Sequence, residues 1–181
     1  MIDDGEVRDA TAADAEAIAR VEVATWKASY AGILPAESIA AMSVPRSAAR
    51  WLRLLGLGAR VGRTVLAAEH DGEVVAFASS TIGLSDARMA SLDMLYVLPA
   101  YQDLGIGGAL LAEIATRATH AGTTALWVEV LAKNARASRF YRHRGAIELS
   151  RTWTFWGVKP IVVVSYGWSL PNGLSRILSG R

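Results

Sequence analysis

Cysteine is absent from the 181 residues, which excludes a disulfide framework, a thiolate metal site and a cysteine nucleophile. Any nucleophile must come from elsewhere, the acceptor molecule included. Histidine is scarce: His70, His120 and His143 lie in unrelated segments without ligand spacing, so no metal site is expected. Hydrophobic residues make up 52%, yet no uncharged apolar run approaches the roughly 18 residues of a membrane span. The opening Met1-Ile2-Asp3-Asp4 lacks the basic and apolar parts of an export signal. A cytoplasmic protein with no membrane partner is therefore expected. A charge excess is also missing. Nineteen Lys and Arg against 17 Asp and Glu give +2, and the basic residues are dispersed. That balance gives no nucleic-acid surface and leaves room for a small anionic ligand. Arginine outnumbers lysine and alanine is abundant, the composition of a GC-rich bacterial coding sequence.

What is present reads as one domain over residues 1–181, with a core from 5 to 168 and a peripheral tail from 169 to 181. Gly5 to Asp9 forms a short strand. Thr11-Ala-Ala-Asp14 has the form of a capping box, so a helix starts there, carries Ile18, Val21, Val23, Trp26 and Tyr30 at helical spacing, and stops at Gly32. Pro35 and Pro45 suit the first turns of helices over Ala36 to Met42 and Arg46 to Leu55, followed by a loop marked by Gly56, Gly58 and Gly62. The period then changes. Thr64 to Glu69 and Glu73 to Thr81 are β-rich and flank His70-Asp71-Gly72, a hairpin signal. Met89 to Val97 is a third strand, Ile106 to Ala121 a helix, Thr124 to Leu131 a strand, and Arg136 to Arg144 a helix stopped by Gly145. Ala146 to Phe155 and Ile161 to Trp168, around Gly157 and Pro160, pair as a final hairpin. Leu174, Ile177 and Leu178 allow the tail to dock as a short helix. The predicted fold class is mixed α/β: a mostly antiparallel sheet of about seven strands flanked by helices, in the order β-α-α-β-β-β-α-β-α-β-β.

Between the third strand and its helix lies Gln102-Asp103-Leu104-Gly105-Ile106-Gly107-Gly108. Glycines let backbone amides approach a phosphate, and a helix N-terminus adds a favourable partial charge of roughly half a unit. A lone Gly-x-Gly is also simply a helix start that needs glycine for backbone angle or close packing. No Gly-Lys-Ser/Thr follows, which excludes a P-loop, and the spacing with its antiparallel context disfavours a dinucleotide fingerprint. Gln102-x-x-Gly105-x-Gly107 resembles the Q/R-x-x-G-x-G/A signature of the GNAT acetyltransferase superfamily. Leu126 to Asn134 and Asn134 to Gly145, with Tyr141, are similar to the strand and helix that follow that signature, and Trp26 to Pro35 to the first-helix region of small-amine members.

The resemblance implies acetyl-CoA as cosubstrate and direct acetyl transfer to a primary amine of a small molecule or a peptide N-terminus. It implies that the strand end at Leu95, Tyr96 and Val97 splays from its neighbour. Those residues, the turn from Gln102 through Asp103, Leu104, Gly105, Ile106 and Gly107 to Gly108, and Asn134, Ala137, Ser138, Tyr141 and Arg142 would then hold the cofactor. Of Arg139, Arg142 and Arg144, Arg142 is the one assigned to its phosphates. Tyr141 matches the family's general acid, since a phenol of ordinary pKa about 10 stays protonated at neutral pH; otherwise it is an aromatic packed on the sheet. Asn134 contacts the pantetheine, caps a helix, or does both. The base is Glu129 or Asp93, each of which is otherwise a solvated strand carboxylate. Trp26 and Tyr30 line the acceptor side, with Trp153, Phe155 and Trp156 as opposite walls. A non-catalytic acyl-CoA-binding sensor is the rival function, and the last hairpin is a candidate homodimer edge.

Overall fold

A computed structural model describes residues 7–57, 62–83 and 88–179. The chain begins with β1 (Val7–Asp9) and a short 3-10 turn that leads into α1 (Ala15–Tyr30). Thr11 caps that turn, its backbone N–H donating to the Asp14 carboxylate at 2.7 Å and its hydroxyl at 3.0 Å. The carboxylate also takes the Arg8 guanidinium at 2.7 Å, which holds its pKa down at about 2. After α1, the Tyr30 carbonyl accepts from Ile33 and Leu34, and Gly32 supplies the positive φ of 75° that this stop requires. Next come α2 (Ala36–Ala40) and α3 (Val44–Leu57). Gly56, read as loop, lies inside α3, because the apolar face anchored by Trp51 carries the helix past it; Gly5 and Gly58 fall outside the described residues.

The sheet proper starts with β2 (Arg63–His70) and β3 (Glu73–Ile82), joined by Asp71-Gly72, whose φ values of 52° and 77° make the tight hairpin the sequence predicts. Then follow β4 (Met89–Val97), α4 (Ile106–His120), β5 (Ala125–Leu131), α5 (Ala135–His143), β6 (Ile147–Trp156), β7 (Lys159–Ser169) and α6 (Leu174–Ser179). The seven strands run β1-β2-β3-β4-β5-β7-β6, antiparallel throughout except β4 against β5. The mixed α/β class holds. Pro160, expected in the last turn, sits inside β7 opposite Phe155, beyond the stretch where β7 pairs with β5, so its missing N–H costs no bond on that side.

Strand alternation gives the sheet two faces. Leu66, Ala76, Ala78, Leu92 and Val128 pack with Leu110, Leu111 and Ile114 of α4. On the opposite face Val65 and Phe77 pack with Ile18 of α1 and Trp51 of α3. Buried Glu22 fastens the two latter helices together, accepting from the Ser47 hydroxyl, from Arg50, and from Trp51 Nε1 at 3.0 Å. The tail docks more deeply than a peripheral segment would. Ile177 is wholly buried in the α4-side core, Leu174 packs against that core and Leu178 stays exposed.

Candidate active site

β4 and β5 pair at only three positions, Met89 to Ser91 against Ala125 to Trp127. Beyond Ser91 they part: β4 carries a one-residue bulge at Asp93, between Leu92 and Met94, while β5 stays paired with β7. The result is a wedge-shaped cleft of about 560 Å³, walled by Leu95, Tyr96 and Val97 on one strand and Val128, Glu129 and Val130 on the other. The unpaired strand edge that the resemblance implies is there.

The glycine turn closes one end. Asp103 and Gly105 both adopt left-handed backbone, with φ of 64° and 90°. Gly105 caps α4, so the first-turn amides of that helix have no intrahelical partner. The third glycine has a separate reason. A Cβ on Gly108 would stand 2.0 Å from Nη2 of Arg144, which packs there and donates through Nη1 to the Ile177 carbonyl at 2.9 Å. The Gln102 side chain donates to the Val97 carbonyl at 2.9 Å, tying the turn to the end of β4 rather than facing outward.

Asn134 begins α5, its Oδ1 accepting from the Ala137 amide at 3.1 Å, which is the capping role. Helical spacing then sets Ala137, Tyr141 and Arg144 on the cleft side, one turn apart. Tyr141 is 5% exposed, and burial raises its hydroxyl well above the ordinary range, with a smaller contribution from the charge of Tyr30. Its ring meets those of Phe140 and Trp168 in edge-to-face contacts. Arg142 points elsewhere: it is exposed, bonds back to the Ser138 carbonyl at 3.2 Å and does not line the cleft. Arg139 and Arg144 do, with Arg136, which is paired to Asp103 at 2.7 Å. The one-residue step from Tyr141 turns Arg142 by about 100° away from the cleft face. Leu104, Ile106 and Ser138 also lie off the lining: Leu104 faces solvent, Ile106 and Ser138 are buried. All the other residues expected around the cofactor are brought together.

Both candidate bases reach the cleft, in different states. Asp93 accepts from the Thr81 hydroxyl at 2.5 Å and from Ser91 at 2.6 Å. The carboxylate of Glu129, exposed on β5, has no hydrogen-bond or ion-pair partner among the described residues. On the α1 side, Trp26 Nε1 donates to the Tyr96 hydroxyl at 3.0 Å, and Tyr30 meets Trp26 edge-on at 5.1 Å. Burial raises the Tyr30 hydroxyl, opposed by its hydrogen bonds with Tyr96 and Asn134. The partner ring from the hairpin is Trp156, 5.8 Å from Trp26, with its Nε1 donating to Ser38 at 2.9 Å. Trp153, expected as a substrate wall, is 76% exposed and lies on the other face of β6, where strand alternation puts it with Phe155. The sequence missed Tyr96 as the partner of Trp26, and Arg144 as the cation at the turn; the Gly107-Gly108 doublet was the signal for the second.

The described residues contain no helix long and apolar enough to cross a membrane, and no group of three His, Asp or Glu able to hold a metal. A family model described as the acetyltransferase (GNAT) family matches residues 36–146. An uncharacterized N-acetyltransferase of Mycobacterium tuberculosis is 38% identical over 93 residues, 51% of this chain and 58% of that protein. The [ribosomal protein bS18]-alanine N-acetyltransferase of Escherichia coli is 35% identical over 76 residues, 42% of this chain and 49% of its own. The matches thus span about half the length of these relatives. Among solved structures, the PaiA N-acetyltransferase of Thermoplasma acidophilum in complex with coenzyme A superposes with a TM-score of 0.70 at 22% identity, covering 91% of this chain and 98% of that one. The ribosomal-protein-alanine N-acetyltransferase of Brucella melitensis gives 0.72 at 23% identity, covering 91% and 99%. These two share the fold.

Proposed function

Since its residues 36–146 match the family model, the chain belongs to the acetyltransferase (GNAT) family, and from that premise we propose that it moves the acetyl group of acetyl-CoA directly onto a primary amine in a ternary complex. The observation that carries this is the wedge between β4 and β5, closed at one end by the glycine turn and holding a buried tyrosine. Acetyl-CoA fits the donor set. An unpaired strand edge at Leu95 to Val97 suits the amide-bearing pantetheine arm, and the free first-turn amides of α4, with Arg139 and Arg144 nearby, suit the pyrophosphate. Bound there, acetyl-CoA supplies an activated acyl group as a thioester.

Glu129 is the base in this reading, because its carboxylate is free whereas that of Asp93 is already held by two hydroxyls. It takes the proton that the amine must shed. Tyr141 gives its proton to the departing sulfur, and burial keeps it protonated for that purpose. Backbone amides of the β4 edge steady the carbonyl oxygen. Trp26, Tyr30 and Trp156 form the acceptor side, which suits a small amine or a peptide N-terminus; the relatives named for ribosomal-protein alanine termini support the second.

The test is release of free CoA from acetyl-CoA across a panel of amines and N-terminal peptides, with binding measured by calorimetry. Amine-dependent release is the expected result. Tight acetyl-CoA binding with no release across the panel would instead make the protein a non-catalytic acyl-CoA sensor.

A further inference from the structure

The C-terminal part of the chain grips the end of α5 at three points. Trp168 Nε1 donates to the Arg144 carbonyl at 2.8 Å, and Arg144 Nη1 donates to the Ile177 carbonyl at 2.9 Å. Arg176 lies over Gly145, its Cβ 2.9 Å from where a Cβ on that glycine would stand. Ile177 is wholly buried, and its carbonyl belongs to the last turn of α6, where carbonyls lack intrahelical partners and a cation is favoured.

The other side of the guanidinium lies at the opposite kind of helix end. It fills the space beside Gly108, where a Cβ would stand 2.0 Å from Nη2 and 2.5 Å from Cζ, and Phe140 flanks it at 5.8 Å. Gly108 is in the first turn of α4. The bond from the Ala109 amide to the Gly105 carbonyl, at 3.0 Å, opens that helix, so the amides before Ala109 make its end positive. A cation held there is repelled unless an anion lies between. Among the described residues no carboxylate pairs with Arg144, and Nη2 makes no hydrogen bond. Arg144, Gly107 and Gly108 all line the cleft. A tie between α4 and α6 needs no charge, whereas an anion in the cleft does.

We propose that α6 is a positioning element of the coenzyme site: through the Ile177 carbonyl it holds Arg144 against Gly108, from where Nη2 binds the pyrophosphate of CoA. The inference rests on the acetyl-CoA reading above and adds the tail to it. Docking of the tail and binding of the coenzyme then strengthen each other by the same factor. None of the described residues of α6 lines the cleft, so the coupling runs through Arg144.

Hydrogen exchange followed by mass spectrometry tests this on the full chain, with CoA as the probe and its affinity measured by calorimetry. Saturating CoA should slow amide exchange over residues 174–179 about fivefold or more in the wild type. Arg144→Gln should lower CoA affinity about tenfold and, at saturating CoA, lose that protection. Arg139→Gln removes a cleft cation with no hydrogen bond to α6 among the described residues and should keep the protection. Should Arg144→Gln fail to fold in a thermal melt, Arg144→Lys decides in its place, since a single ammonium cannot serve both partners as the guanidinium fork does. The coupling is overturned if CoA leaves α6 exchange unchanged in the wild type, or if protection survives in the Arg144 variant. It is also overturned if protection is lost equally in Arg139→Gln, or if the Arg144 variant binds CoA within about twofold of the wild type. Each of these leaves acetyl transfer standing. Failure of the wild-type protein to bind CoA overturns both readings.

Discussion

Along the glycine turn and the parted strands the cleft is made of backbone: the free edge of β4, the first-turn amides of α4 and the left-handed residues that expose them. Across from this, on the α1 side, it is lined by the side chains of Tyr30 and Tyr96, with Trp26 packed against Tyr30 and Trp156 against Trp26 behind the lining. A backbone wall is fixed by the fold itself and tolerates changes of side chain, provided Gly105 keeps its left-handed backbone. A side-chain wall is fixed by packing and can be exchanged residue by residue. The first suits an invariant part of a reaction and the second a part that varies with the acceptor.

Tyr141 stands between the two walls, and its replacement has the largest expected effect. Tyr141→Phe should bind acetyl-CoA as before and lose about 100-fold in kcat, measured as CoA release. Undiminished turnover would remove it from the chemistry. The pH profile supplies a second check. An acid works while protonated, and burial raises this hydroxyl above its ordinary value, so kcat should show no alkaline fall due to Tyr141 at least up to about pH 10. A fall centred lower would mean the hydroxyl is not shielded from water.

The carboxylates come next. Glu129→Gln should lower kcat about tenfold at neutral pH, and Asp93→Asn by less, since Asp93 is engaged by Thr81 and Ser91. The opposite order would assign proton removal to β4. On the backbone wall, Gly105→Ala meets no atom within 4 Å, so its whole cost is conformational. About 1–2 kcal/mol of stability should be lost in urea unfolding, together with acetyl-CoA affinity. Full retention of both would mean that the left-handed residue is dispensable. On the side-chain wall, Trp156→Ala should raise the KM for the amine a few-fold without changing that for acetyl-CoA. Trp153→Ala, at an exposed site on the other face of β6, should stay within about 0.5 kcal/mol in stability and leave both constants alone. Equal effects of these two substitutions would dissolve the contrast between the walls.

The same contrast decides what could be read from the sequence. Backbone features announce themselves locally, as the Thr11 cap, the Asp71-Gly72 turn, the Gly105 cap and the stops at Gly32 and Gly145 all show, each needing a positive φ or a side-chain acceptor at a known place. Side-chain walls are assembled at a distance. Periodicity put Trp26 and Tyr30 on one face but held no information on which hairpin ring would meet them, and Trp153 and Trp156 are equally aromatic. Arg142 and Arg144 are two residues apart along the chain but about 200° apart around the helix, so the sequence alone does not say which of them lines the cleft. Gly56 misled because glycine breaks a helix only where packing does not carry the helix through, and Trp51 anchors α3 on that segment's buried side. Deep docking of Ile177 depended on a lock with Arg144 that no local pattern records.

The split between β4 and β5 has one further consequence. A free strand edge on the outside of a protein recruits other strands, and with them aggregates. This edge lies inside, between walls diverging from a seam that is closed at Ser91 and Trp127. At about 560 Å³ the cleft has the size of a small-molecule site. Hydrogen-bonding capacity that would be a hazard on the surface is thereby turned inward, into the cleft.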